Sequence, residues 1–586
     1  MKRVLKKYKW EFVAVAVLML LVYATLAISL DFKNYDISMP IAYQGGDDFG
    51  TAYKHAKVVS DSGSKWIYES DRLGAPYGAE YYDFMPDSLM NADVLFLRFF
   101  GLFSKDPVTV VNLTIVFLFF LIALISYFVM RQLGIRQDFA VVGSLLFDFM
   151  YYHFMRLVSH FCLSSYEFVP LSILLCIWLW KDDRLFAMGK DFWKYKKNYL
   201  VLLFFFFIAN NGIGYYTFFT CMFLVITGIS KAVKQRSGKA VFQMIRMVVS
   251  NVLFMILALV PCIVYQIQNG ANLTQRSLAD SELYALKIVQ LLIPYKDYGI
   301  QKLQEYNQEY YQTFALTESI TSYLGIMASL GFLALIFGLM RRRENMVKQR
   351  EPLALFVELN IVAVLFATMG GFGGIFANFV TSLIRGTNRI SIFMAFMALS
   401  TIGILMTRLM QKKGRAWKVW KPICGVLFCA LAIFSLYDQI PVSVTGAAAQ
   451  LQEEKNSDSQ FVKRIEDSVP KGSMIFQLPY HPYPEGGPVN QMQDYHLFVG
   501  FMYSKDLKWS YGGSKGREGD LWYQQTAGKP VEQMVEELRA KDFAGVYVDK
   551  RAYDDIGFAD LDASLKRVIG CEPIHSENGN LYFYKF

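Results

Sequence analysis

The stretch "AYQGGDDFG" (42–50) sets two adjacent carboxylates, Asp47 and Asp48, among Gly45, Gly46 and Gly50, shortly after an apolar run ends. Glycines let the backbone turn tightly and bring carboxylates close to a ligand. Adjacent acids repel one another, so a cation or a hydrogen-bond network is needed to keep both ionised. The chemistry that fits is a general base beside a cation-binding partner, and a solvated turn is the plain alternative.

Downstream, "RLGAPYGAEYYDFMPDSLMNAD" (72–93) places Asp83 and Asp87 on either side of Pro86, among Tyr77, Tyr81, Tyr82 and Phe84. Rings beside carboxylates suit a sugar, whose apolar face stacks while acids hold its hydroxyls. Aromatic belts at membrane interfaces produce the same enrichment. Further along, "HFMRLVSHFCLSSYEF" (153–168) spaces Arg156 and His160 at i, i+4, which is one helical face. Arg276 follows in "NGANLTQR", Glu318 in "FALTESITSYLG", and Arg385 and Arg389 flank a glycine in "SLIRGTNRISIF". Ionisable groups at membrane depth are costly and are functional candidates by default. Arginine's planar fork matches phosphate, although any one arginine could simply snorkel to a headgroup.

These residues need a scaffold, and the composition says which kind. The 586 residues are 54% hydrophobic and 16% aromatic, with mean hydropathy +0.27, which marks an integral membrane protein. The net charge of +9 does not indicate nucleic acid: the tail from Asp438 carries −6, so the remainder carries +15, gathered in short loops. Six of seven cysteines lie in apolar stretches, without metal-ligand spacing.

Apolar segments at 11–30, 108–130, 138–156, 164–180, 199–211, 213–230, 245–267, 321–340, 353–369, 388–407 and 419–437 predict about eleven transmembrane helices. The alternate loops, among them "KDDRLFAMGKDFWKYKKN" and "MRRRENMVKQREP", are basic and fall on the side of the N-terminus. The positive-inside rule therefore puts the N-terminus in the cytoplasm and the C-terminus outside the cell membrane. "ANNGIGYY" (209–216) interrupts one apolar run, either between two spans or as a re-entrant kink. Outside lie the loops 31–107 and 269–320 and the glycine-rich "MGGFGGIFANFVTSLIRGTNR" (369–389), expected to line a cavity. The chain thus divides into a transmembrane domain, 1–437, and an extracytoplasmic α/β domain, 438–586. The latter reads as strand "SMIFQLPY", helix "KPVEQMVEELRAKD", strand "FAGVYVDK" and a closing "NLYFYKF". Its aromatic-rich segment 480–525 reads as a carbohydrate-binding surface or as core. All the candidate acids, arginines and His160 fall on the outer side, and for the arginines that is opposite to what topology alone requires.

The loop "APYGAEYYDFMPDSL", the run "RQLGIRQDFAVVGSLLFDFMYYHFMRLVSHFCLSSYEFVPL" and the late "RGTNRISIF" resemble bacterial GT-C-type integral membrane glycosyltransferases that modify cell-surface polymers or lipids, over most of 1–437. The resemblance implies a polyprenyl-phosphate-linked sugar donor, a surface glycan or lipid acceptor, inversion at the anomeric carbon, and membrane lipids as surroundings. It makes Asp47 or Asp48 the base or metal organiser, with magnesium or manganese as the expected cation. Arg276, Arg385 and Arg389 become the donor-phosphate candidates, with Asp83, Asp87, Arg156, His160 and Glu318 toward the substrates. A lipid-linked sugar flippase is the rival, but matching halves are not evident. A sulfatase-type phosphotransferase would need a compact ligand spacing that His481, His496 and His575 do not supply.

Overall fold

The computed structural model describes residues 2–61, 69–83, 92–187, 189, 191–236, 238–272, 277–294, 298, 300–313, 317–338 and 351–586. Arg276 and Asp87 lie outside them. Each of the eleven predicted apolar stretches coincides with a helix. Among the described residues six helices are long and apolar enough to cross a membrane: Tyr8–Ser29, Pro107–Gln132, Tyr215–Lys234, Gly238–Asn269, Thr387–Gln411 and Arg415–Gln439. Four more, Val169–Lys181, Lys197–Ala209, Ile326–Phe337 and Pro352–Ala367, are apolar but shorter. At about 1.5 Å per residue such helices fall short of the roughly 30 Å hydrocarbon core.

The shortening has a local cause. The expected span 138–156 stops at Asp148, and the chain runs through short turns to Phe168 before the helix Val169–Lys181 begins with Pro170 in its first turn. Irregular backbone at this depth is tolerated where protein surrounds it, and Tyr151–Phe154 and Phe161–Ser164 are buried. Likewise "ANNGIGYY" separates two helices, Lys197–Ala209 and Tyr215–Lys234, with Gly212 and Gly214 at positive φ. Both interruptions place polar residues inside the bundle.

The glycine-rich stretch after the helix Pro352–Ala367 differs from expectation. Phe372–Phe379 is a helix whose Phe372, Ile375 and Phe379 are exposed, so it presents an apolar face outward. Its glycines serve close packing: a Cβ on Gly373 would lie 2.7 Å from the carbonyl oxygen of Phe366.

The C-terminal part carries a five-stranded sheet in the order β4-β3-β5-β7-β6. Its strands are β3 (Met474–Leu478), β4 (Lys508–Trp509), β5 (Phe543–Asp549), β6 (Ile574–His575) and β7 (Leu581–Lys585), after a short first-loop pair β1 (Glu69–Ser70) and β2 (Ala79–Glu80). β3 is parallel to β4 and β5, β7 is antiparallel to β5, and Tyr547 faces Phe583 in register. Helices Ala448–Ser468, Glu518–Ala527, Val531–Ala540 and Asp555–Ile569 accompany the sheet. The aromatics of 480–525 are largely core. Tyr483, Tyr495, Trp509 and Tyr511 are each at most 4% exposed, so of the two readings these rings follow the one that makes them core.

This part grips the loop that follows the first helix. Lys455 bonds the backbone oxygen of Ser38 at 2.9 Å and Asp106, the N-cap of Pro107–Gln132, at 3.0 Å. Tyr43 donates to Asp458 at 3.0 Å, and Arg517 forks onto Asp83 at 2.8 and 2.6 Å. Gly45, at φ +72°, lies so close to His496 that a Cβ would fall 1.7 Å from the ring, and the backbone N–H of Tyr495 donates to its carbonyl at 2.7 Å.

Candidate functional site

The acidic pair divides into two different environments. Asp48 opens a short π-helical turn, Asp48–Tyr53, and is 2% exposed. Its carboxylate accepts the backbone N–H of Gln44 at 2.9 Å and so closes the glycine turn. Burial pushes its pKa up to about 6, against the backbone N–H groups that favour the anion. Asp47 is the partly open member, with 45% of its side chain accessible, and it points to His160, whose Nε2 stands 3.7 Å from Asp47 Oδ2. Its pKa is also raised to about 6, by burial and then by the charges of Asp48, Asp494, Glu485 and Glu318. Asp494 and Glu485 belong to the C-terminal part.

The opposite wall is built on Glu318. Arg389 grips it with two bonds, Nε to Oε1 at 2.9 Å and Nη2 to Oε2 at 3.1 Å, and Arg156 adds a third at 3.0 Å. His160 Nε2 lies 3.4 Å from Glu318 Oε2. Burial opposes the anion, but the guanidiniums of Arg389 and Arg156 hold Glu318 well below the usual carboxylate range. Burial and the neighbouring Arg156 lower His160 to about 3, so it stays neutral. Arg156, Arg389 and Glu318 together carry one net positive charge. The predicted i, i+4 relation of Arg156 and His160 is present: the N–H of His160 donates to the carbonyl of Arg156 at 2.8 Å, within a turn and not a regular helix.

Each arginine is held in shape from behind. Arg389 stacks on Tyr215 at 4.3 Å, whose hydroxyl accepts the N–H of Gly386 at 3.2 Å. Arg156, fully buried, stacks on Tyr152 and donates to Thr321 at 2.8 Å. Complete burial makes it a support for Glu318 and not, as expected, a substrate contact. Arg385 stands apart, paired with Asp280 at 3.0 Å and stacked on Tyr284. The Asn388 side chain links it to the cluster: its amide Nδ2 donates to the carbonyl of Tyr284 at 2.9 Å and stands 3.4 Å from Glu318 Oε1. Asp83 is corrected as well: its side chain is fully buried and bonded in a fork to Arg517, which leaves no open carboxylate for a sugar.

A metal held jointly by Asp47 and Asp48 does not fit this arrangement. The Asp48 carboxylate is buried and turned to the backbone of Gln44, and among the described residues no group of three or more His, Cys, Asp or Glu is arranged so that it could hold a metal ion. The site as built offers a base of raised pKa, a neutral imidazole and a positively charged arginine wall. Sequence reasoning missed Asp494 and Glu485, which lie in "YPEGGPVNQMQDYH" with nothing in spacing to link them to residue 47. It also missed Tyr215, whose role follows from the cation stacked on it.

No protein-family model matches the chain, and no curated protein does. Among solved structures the chain is similar to the arabinofuranosyltransferase AftD from Mycobacteria, at 12% identity over 93% of this chain and 37% of that one, with a TM-score of 0.47. It thus spans little more than a third of that protein's length. It is also similar to the archaeal oligosaccharyltransferase AglB from Archaeoglobus fulgidus, at 10% identity over 99% and 75%, TM-score 0.46. A third likeness is to ArnT from Cupriavidus metallidurans, at 10% identity over 98% of each chain, TM-score 0.47.

Proposed function

We propose that this protein is a GT-C-type membrane glycosyltransferase, moving a sugar from a polyprenyl-phosphate donor to a surface glycan or lipid acceptor on the outer face. The observation that carries the reading is the convergence of Asp47, His160, Glu318 and Arg389 from four distant stretches. In the proposed step an acceptor hydroxyl attacks the anomeric carbon as the bond to the phosphate oxygen breaks, with inversion. Asp47 takes the hydroxyl proton, a task suited to a carboxylate whose pKa is raised to about 6. The departing lipid phosphate gains negative charge, which Arg389 offsets while Glu318 fixes its fork. His160, neutral, is the hydrogen-bonding group between base and phosphate. A donor confined to the membrane explains why the machinery sits where helices give way to outer loops.

The test uses purified full-length chain in lipid nanodiscs with a radiolabelled polyprenyl-phosphate sugar and a surface-glycan acceptor. Transfer of label by the wild type, lost in Asp47→Asn, is expected. Full turnover in Asp47→Asn would remove the acid from the reaction. Relocation of unchanged lipid without transfer would make the protein a flippase.

A further inference from the structure

A groove of about 460 Å³ lies on the C-terminal part, between the end of the helix Ala448–Ser468 and the strand β6. Its walls are Arg464, Asp467, Ser468, Pro573, Ile574 and His575, and none of them belongs to the site assigned above. The volume falls in the range of small-ligand sites. Arg464, Asp467 and Ser468 stand at i, i+3 and i+4, which is one face of the helix.

An arginine and an aspartate at that spacing can pair, yet among the described residues neither Arg464 nor Asp467 has an ion-pair partner. Arg464 turns to the sheet, where its Nη2 donates to the carbonyl of His575, on the edge strand, at 2.6 Å. That bond takes one of the five guanidinium N–H groups. His575 Nδ1 lies 3.1 Å from the carbonyl of Ser576, which can only accept, so Nδ1 carries a proton and the exposed ring keeps Nε2 for a ligand. Ser468 donates to the carbonyl of Ile465 at 2.8 Å and retains its acceptor lone pairs. The groove thus offers hydrogen-bond donors and acceptors side by side, with Pro573 and Ile574 as apolar floor. The charges of Arg464 and Asp467 cancel. That combination suits a ligand rich in hydroxyls, with apolar C–H faces and no net charge, which is a neutral saccharide.

The helix also fixes where the groove stands. Its Lys455 and Asp458 hold Ser38 and Tyr43, in the loop that carries Asp47. Arg464 and Asp467 follow Asp458 on the same helix, about 9 and 14 Å further along its axis at about 1.5 Å per residue. We infer that this groove binds a neutral stretch of the acceptor glycan, a few units from the sugar that is modified; the inference rests on the function proposed above. It adds a second contact for long acceptors without touching the reacting atoms. Covering the open edge of β6 is the competing role for Arg464.

The experiment uses the full chain in nanodiscs, without donor, and neutral oligosaccharides cut from the source organism's surface polysaccharide and fractionated by length. Calorimetric affinity is expected to rise with length and then level off. Asp467→Ala removes no bond within the protein, so it should keep the thermal midpoint and lose at least ten-fold in affinity for the long fragments. Arg464→Ala should lose as much, while short fragments bind both variants as they bind the wild type. In turnover the loss should appear in KM for the long acceptor. Equal affinity of the wild type and Asp467→Ala for long fragments would overturn the inference. So would an Arg464→Ala effect confined to the thermal midpoint, which would leave the arginine as an edge cap. Binding that vanishes at high salt would mean a charged ligand and overturn the neutral class. Length-dependent binding lost in both variants, with no sugar transfer by the wild type, would keep the groove and refute the proposed function instead.

Discussion

His160 Nε2 stands 3.7 Å from Asp47 Oδ2 and 3.4 Å from Glu318 Oε2, so one neutral ring links a partly open carboxylate to one that two arginines have claimed. The two acids differ in ionisation for the same reason that they differ in partners. Glu318 has guanidiniums and stays an anion, whereas Asp47, buried beside a neutral ring and among other carboxylates, gains proton affinity.

A base with a pKa near 6 acts only when deprotonated, so kcat/KM should climb as pH rises through about 6 and level off above it. Because Asp494 and Glu485 help raise that value, Asp494→Asn and Glu485→Gln should each move the acidic limb to lower pH. A pH–rate profile of the three proteins checks this, and an unmoved limb in both variants would separate the C-terminal part from the base.

Asp47→Asn and Asp48→Ala should fail differently. Loss of a general base lowers kcat by roughly 10²–10⁴, with the thermal midpoint unchanged for Asp47→Asn. Asp48→Ala removes the acceptor for the Gln44 N–H, a cost of about 1–3 kcal/mol that unfolding measurements would read.

Glu318→Gln should be among the most damaging single changes, since it leaves Arg156 buried without a counter-ion. A cost of about 3–5 kcal/mol is expected. Arg389→Lys keeps the charge but loses the two-point grip, so donor KM should rise more than ten-fold while the protein stays folded. Thermal unfolding and donor-dependence kinetics distinguish the two.

The Asp83–Arg517 fork belongs to assembly and not to chemistry. A double-mutant cycle with Asp83→Asn and Arg517→Gln should give a coupling of about 1–3 kcal/mol in unfolding. Its effect on kcat should remain below that of Asp47→Asn. Coupling near zero would show that the fork does not hold the loop.

Local pattern carried much of this architecture. Each apolar run coincides with a helix, six of them among the described residues long and apolar enough to cross a membrane, because lipid requires continuous internal hydrogen bonding of any segment within it. Strands 474–478 and 543–549 were readable from β-branched and aromatic alternation. Arg156, His160, Glu318 and Arg389 were legible as candidates because charge at that depth is rare. Their division of labour was not, since spacing along the chain says nothing of which arginine is covered. Asp83 misled for the same reason, as its partner Arg517 lies in the tail. The exposed face of Phe372–Phe379 was hidden by its glycines, which look like cavity walls in sequence but pack against backbone in space.

The contact between Gly45 and His496 joins an early part of the chain to a late one. A ribosome that has produced the bundle has not yet produced the ring against which the Asp47 turn is moulded. The turn that carries Asp47 is therefore expected to take its final shape only once residues 495 and 496 have been made, however early the bundle itself forms.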